Sequence, residues 1–317
     1  MTQPHFAGPQ PPAPLPTLSP YGGPQTERST VTQRARGVAL DAFRMFGATT
    51  ASLRVRPDYL IIGTKRGGST SLARWVLEHP NVAPLFPARE TRKGTYFFDV
   101  NYDRGERWYR SHFPTRTSLA IRSRQQSQPL MVGEAVPYYL HHPHAAARAR
   151  AFAPAANIIA LLRDPTDRAY GHWGERTRNG VEWLSFPDAL AAEDERLAGE
   201  EDRMLADPSY QSFAHQHYSY VDQGRYERGL RRWMHHWPAE QLLVLRSEDM
   251  YSDPARIYAQ VTDFLGLPRF EPEAFAAWNM KASSVIEPIV ETQLRATLAP
   301  SVQAVEELLG RPMGWPS

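Results

Sequence analysis

The chain has 317 residues, 42% of them hydrophobic, with 28 Pro, 20 Gly, no Cys and a formal net charge of +2. That length accommodates one large domain or two small ones. The missing cysteine excludes a disulfide scaffold and fits a reducing cytoplasm, while the near-neutral total argues against a broadly basic nucleic-acid binder.

The charge is unevenly placed. Residues 1–56 carry six Arg against Glu27 and Asp41, for +4, so residues 57–317 sum to −2. No apolar run reaches 18 residues, so no membrane span is expected. The start, Met1-Thr2-Gln3-Pro4-His5, has no basic region leading into an apolar one, so no signal peptide is expected either. Cytoplasmic localisation follows as the expectation; oligomeric state is not legible.

Eight prolines fall between positions 4 and 24, and residues 1–30 read as a disordered Pro/Gly-rich tail that buries too little to offset ordering entropy. Residues 31–56 read as a short amphipathic helix and a linker, with Val38, Leu40, Phe43, Met45 and Phe46 among arginines. Packing on the domain is the plain interpretation; a membrane-surface or partner helix is the alternative.

From Asp58 the pattern changes. Tyr59–Gly63 is a short apolar run ending in a glycine loop, as in a buried parallel strand, and Ser71–His79 is a helix stopped by Pro80. Strands are predicted at 130–132, 157–162 and 241–246, and helices from Pro165 to about Asn179-Gly180, over 223–237, 254–265 and 291–309. The acidic run 193–202 reads as a solvated helix face. Strands separated by helices predict, over 57–317, a single α/β domain, P-loop-like, with a central parallel sheet flanked by helices.

Between the first strand and helix lies Gly63-Thr64-Lys65-Arg66-Gly67-Gly68-Ser69-Thr70, followed by Ser71. Here a loop aims backbone N–H groups and the positive end of a helix at a phosphate. The Gly-x4-Gly spacing matches a nucleotide P-loop, but Ser69 stands where that motif needs lysine, and the cations lie upstream at Lys65 and Arg66. Arg163-Asp164-Pro165-Thr166-Asp167-Arg168 follows the 157–162 strand and opens onto the same crevice. An arginine there grips a second phosphate bidentately or makes a structural ion pair.

Ile61–Leu72 resembles the 5′-phosphosulfate loop of sulfotransferases that use 3′-phosphoadenosine-5′-phosphosulfate (PAPS), and Ile158–Tyr170 resembles their 3′-phosphate segment. Tyr96-Phe97-Phe98-Asp99, Trp108–Pro114, Gly133–Leu140, Leu245–Met250 and Phe264–Pro268 are similar to the carbohydrate-type and bacterial branch, in order from about 57 to 315. The resemblance implies PAPS as sulfuryl donor, no obligatory metal, and a hydroxyl of a glycan, glycolipid or small metabolite as acceptor. It implies that Lys65, Arg66, Gly67, Gly68, Ser69, Thr70, Ser71 and Arg163 bind the donor, with Lys281 in a loop that reaches over the nucleotide in relatives.

Three positions depart from the family pattern. Arg66 stands at the catalytic lysine; guanidinium stays charged, so its expected role is electrostatic. Gly94 follows Lys93 where the carbohydrate branch has its catalytic Glu, which leaves Glu90, Glu134, or a histidine such as His112 or His142 as candidate base. Gly171 replaces the serine eight residues after Arg163. These departures keep open a catalytically impaired phosphonucleotide-binding protein. A kinase or NTPase is the weaker alternative, since position 69 is Ser and the 157–162 strand ends at Arg163. His141, His142 and His144 resemble a metal cluster only superficially, with Pro143 interrupting them. Trp173, Trp183, Trp233, Trp237 and Tyr220 read as core or cleft wall.

Overall fold

A computed structural model describes residues 47–87, 93–124, 126, 129–277 and 286–316. The Pro/Gly-rich leader, residues 31–46 of the expected helix and linker, Glu90 and Lys281 lie outside the described residues. Five parallel strands form the centre: β1 Tyr59–Gly63, β2 Val82–Ala83, β3 Met131–Ala135, β4 Asn157–Leu162 and β5 Leu242–Arg246. Their spatial order is β2-β3-β1-β4-β5. Tyr59 faces Gly133 on one side and Asn157 on the other, and Ile158 pairs with Leu242.

Every β1 residue is buried, as expected for a strand covered on both faces. Alternation divides its side chains between two cores. Leu60 and Ile62 join Phe98, Tyr109, Tyr139, Trp233 and Trp237 on one face, whereas Tyr59 and Ile61 join Leu72, Trp75, Val76, Tyr258 and Val261 on the other. The helices that frame the sheet are α1 Ser69–Glu78, α2 Ala145–Phe152, α3 Pro165–Arg178, α4 Tyr226–His236, α5 Pro254–Phe264 and α6 Pro288–Leu309. Helices α2, α4 and α6 cover the first face, and α1 and α5 the second. Ala169 of α3 joins Phe186, Tyr220 and Leu298 in a third cluster.

The predicted strands at 59–63 and 157–162 are observed with those bounds, and the others differ by one to three residues at an end. Two-residue β2 was not predicted; a segment that short carries no periodicity. The acidic run departs from expectation, for Glu193 is buried. Its carboxylate accepts the backbone N–H groups of Tyr220 (2.9 Å), Val221 (2.8 Å) and Asp222 (2.8 Å). Trp233, Trp237 and Tyr220 are core, whereas Trp183 is 67% exposed, neither core nor covered wall.

Beyond β1 the chain runs out to β2 and β3, whereas β4 leads to β5 on the opposite side. The carboxyl ends of β1 and β4 therefore flank the place where the sheet's winding reverses, the usual ligand crevice of such folds.

Candidate active site

Two loops meet at that crevice. Thr64, just past β1, donates its N–H to the carbonyl of Leu161 in β4 at 2.6 Å. Arg163, just past β4, donates from Nη1 to the Arg66 carbonyl at 3.3 Å. The first loop enters α1 through Gly68, whose φ of +91° is open to glycine at little cost. A Cβ there would lie 2.7 Å from the Tyr251 hydroxyl and 2.8 Å from Met250 Cε, so glycine also lets the segment after β5 close over the loop. Among the described residues no side chain caps α1. Its first N–H groups and dipole thus face the crevice as an anion site.

Arg66 adopts φ +68°, a region non-glycine residues seldom occupy outside functional sites. Its side chain passes Gly171 of α3, where a Cβ would sit 3.6 Å from Arg66 Cβ and Nε. Arg163 and Arg178 add positive charge around its guanidinium, and Glu175 supplies the opposing negative charge. Lys65, the adjacent cation, feels the same Glu175 together with Arg176, Arg168 and Arg66. Burial first, then Arg176, drives its ammonium well below the usual lysine range.

Lys93 is a site residue that the sequence reasoning passed over. It donates to Thr70 Oγ1 at 2.8 Å, which puts it on the phosphate loop. Burial outweighs the pull of Glu175 and lowers its pKa to about 8. Its rarity was the available signal, because the chain has only three lysines.

The second loop is firmly anchored. Asp164 caps α3 by accepting from the N–H groups of Thr166 (2.8 Å) and Asp167 (3.2 Å), and Arg295 of α6 holds its other oxygen at 2.9 Å. Arg163 pairs with Asp167 at 3.1 Å, and the Tyr226 hydroxyl donates to its carbonyl at 2.8 Å. Arg168 points elsewhere. It is fully buried and bonded to the Tyr220 carbonyl, so it ties α3 to the third cluster rather than lining the crevice.

Glu134 is only 2% exposed, and four donors occupy its oxygens. Thr95 gives its N–H (2.7 Å) and hydroxyl (2.8 Å) to Oε2. Tyr109 and Tyr139 each give a hydroxyl to Oε1 at 2.9 Å. Burial raises its pKa against those bonds. This carboxylate locks the aromatic turn 96–100 to β3. Gly94 explains why no acid follows Lys93: a Cβ would lie 2.6 Å from the Ala135 carbonyl oxygen and closer still to Val136 Cγ2. His112 is buried, with Nδ1 at 2.9 Å from the Trp108 carbonyl. Burial likewise drives His142 well below the usual histidine range.

The three histidines at 141–144 do not form a metal-holding set: His144 donates its backbone N–H to His142 Nδ1 at 3.2 Å. Among the described residues, His141 instead approaches His215 and Asp222. The two imidazoles stack at 4.2 Å with planes 15° apart, an arrangement that does not place one ion in both ring planes. His141 Nε2 lies 3.4 Å from Asp222 Oδ2.

Among the described residues, no helix is long and apolar enough to cross a membrane. The model of the family described as "Sulfotransferase domain" matches residues 56–288. The chain is 29% identical over 223 residues to the bifunctional heparan sulfate N-deacetylase/N-sulfotransferase 1 of Caenorhabditis briggsae, covering 70% of this chain and 24% of that protein. It is 30% identical over 213 residues to the human heparan sulfate glucosamine 3-O-sulfotransferase 3B1, covering 67% of this chain and 47% of the relative. The chain thus spans about a quarter and about half of the lengths of these two relatives. A solved sulfotransferase from Alicyclobacillus acidocaldarius superposes with a TM-score of 0.61 at 26% identity, over 82% of this chain and 98% of that one. With the family match running from the residues before β1 to the start of α6, over well more than half of its length, the chain belongs to the sulfotransferase-domain family.

Proposed function

We propose that this protein transfers a sulfuryl group from PAPS to a hydroxyl of a carbohydrate or small-molecule acceptor. The observation that carries the reading is the meeting of an uncapped helix N-terminus with Arg66, Lys93 and Arg163 at the carboxyl ends of β1 and β4. A strand–glycine loop–helix segment suits the 5′-phosphosulfate, with N–H groups and hydroxyls from Gly67 to Ser71 around its oxygens. Arg163 suits the 3′-phosphate, because a planar fork matches two phosphate oxygens. Lys281 remains a further donor contact in this proposal.

Charge develops on the sulfuryl and leaving phosphate oxygens during transfer, and fixed cations aimed there lower the barrier. Arg66 supplies such a charge and gives up no proton, which a phosphate leaving group does not require. Lys65, held among Arg176, Arg168 and Glu175, takes second place to it. The absence of cysteine agrees with work in a reducing cytoplasm.

The test is transfer of labelled sulfate from PAPS into a metabolite and oligosaccharide panel, with the product identified by its mass shift. The wild type is expected to label an acceptor, and Arg66→Ala to lower turnover by about 10²–10³, roughly 3–4 kcal/mol in the transition state, with its melting temperature unchanged. Equal turnover in a folded Arg66→Ala would refute the assignment.

A further inference from the structure

We propose that Glu175 is the general base that removes the acceptor hydroxyl's proton, an assignment that rests on the sulfuryl-transfer reading above. An alcohol attacking sulfur has to lose its proton, and the familiar position for the acid, residue 94, is closed by β3. Glu134 is spent on four donors in the wall of the fold.

Glu175 lies on α3 one turn beyond Gly171, on the same helix face. Side chains on a helix lean toward its N-terminus, which turns residue 175 toward the side of α3 where Arg66 passes position 171 at 3.6 Å. Its charge acts on Lys65, Arg66 and Lys93, the cations that reach the crevice from the phosphate loop and from the segment before the aromatic turn. It is also half-buried. Arg176 holds Oε1 at 3.2 Å, and Arg176 in turn contacts His217 Nδ1 at 2.7 Å. The side chain is therefore oriented, not free to sweep.

The electrostatics make the base conditional on the donor. Burial pushes the Glu175 carboxyl up, but Lys65, Arg176 and Arg66 together outweigh burial and hold it below the usual glutamate range. It is therefore ionised and ready to accept a proton. An anionic donor placed against the same cations offsets their pull and leaves the burial effect, which strengthens the base when PAPS is bound. In the step itself, the hydroxyl proton passes to Glu175 as the acceptor oxygen bonds to sulfur. The bond from sulfur to the 5′-phosphate oxygen breaks, and its electron pair leaves on 3′-phosphoadenosine-5′-phosphate (PAP). The proton is later released to solvent.

The test uses the full chain, labelled PAPS and three acceptors: water, a heparosan oligosaccharide and 4-nitrophenol, which is already ionised near neutral pH. Glu175→Gln is expected to lose on the order of 10²–10⁴-fold in transfer to water and to the oligosaccharide. It should keep transfer to 4-nitrophenolate within about threefold, lose the acidic limb of kcat/KM, and bind PAP at least as tightly as wild type. Glu175→Asp should recover part of the lost rate and restore the limb. The assignment is overturned if Glu175→Gln keeps the limb and the alcohol-type rate, or if it loses all acceptors equally together with PAP affinity, as a purely structural residue would. A wild type that neither binds PAP nor consumes PAPS overturns the sulfuryl-transfer reading instead, and that outcome is visible before any variant is made.

Discussion

Position 94 shows how one absent side chain redistributes chemistry. The residue after Lys93 is where the family resemblance leads one to look for an acid, and β3 packs against that Cα so closely that no Cβ fits. Gly94→Glu is accordingly predicted to lose stability, about 1–3 kcal/mol or more from overpacking, and to gain no activity. Urea unfolding alongside a PAPS-turnover assay checks this, and a stable variant with raised turnover would contradict it. The phosphate loop was legible in the sequence because its chemistry is local: glycines, hydroxyls and two cations within seven residues. Glu175 was not legible, and Lys93 was marked only by the rarity of lysine in the chain. They reach the crevice from α3 and from the segment before the aromatic turn, and nothing in their local spacing distinguishes them from surface residues. Glu134 was read as a candidate base past the 130–132 strand, but its four donors come from residues 95, 109 and 139, a convergence that only the fold reveals.

At the scale of elements, the strands of the parallel sheet were readable because burial on both faces turns them into apolar runs. The turn 97–100 was not readable in that way, since side-chain hydrogen bonds hold it. Phe97 and Phe98 donate their N–H groups to the Tyr139 hydroxyl at 2.8 and 3.2 Å, and the same hydroxyl donates to Glu134. Asp99 closes this turn while fully buried. Its Oδ1 accepts the Val100 N–H at 2.6 Å, and Oδ2 has no hydrogen-bond partner among the described residues. Burial, reinforced by the charge of Glu134, raises its pKa from 3.8 to about 8. A carboxyl raised in the folded state binds a proton that the unfolded chain has released. Its contribution is therefore complete below the unfolded value and is lost as pH rises toward the folded one. Stability should fall between about pH 4 and pH 8, and Asp99→Asn should flatten that slope and gain most at the alkaline end. Denaturation midpoints across this range test the point; an identical slope in the variant would show that the proton sits elsewhere.

For the whole molecule, the charge count acquires a location. The leader to residue 56 carries +4 and the remainder −2, yet Lys65, Arg66, Lys93 and Arg163 gather at one crevice with Glu175 among them. That distribution suits one small polyanion bound per chain rather than a long one spread over a surface. The acceptor was not readable from the sequence, because the segments that select it vary with the partner and leave no general pattern. The donor is the better object for a decisive measurement. Titration calorimetry of the full chain with PAP, and with ATP in parallel, should give saturable one-to-one binding of PAP in clear preference to ATP. Arg163→Ala should weaken that binding at least about tenfold, or ~1.4 kcal/mol. Absence of PAP binding, or ATP bound as tightly as PAP, would contradict the account.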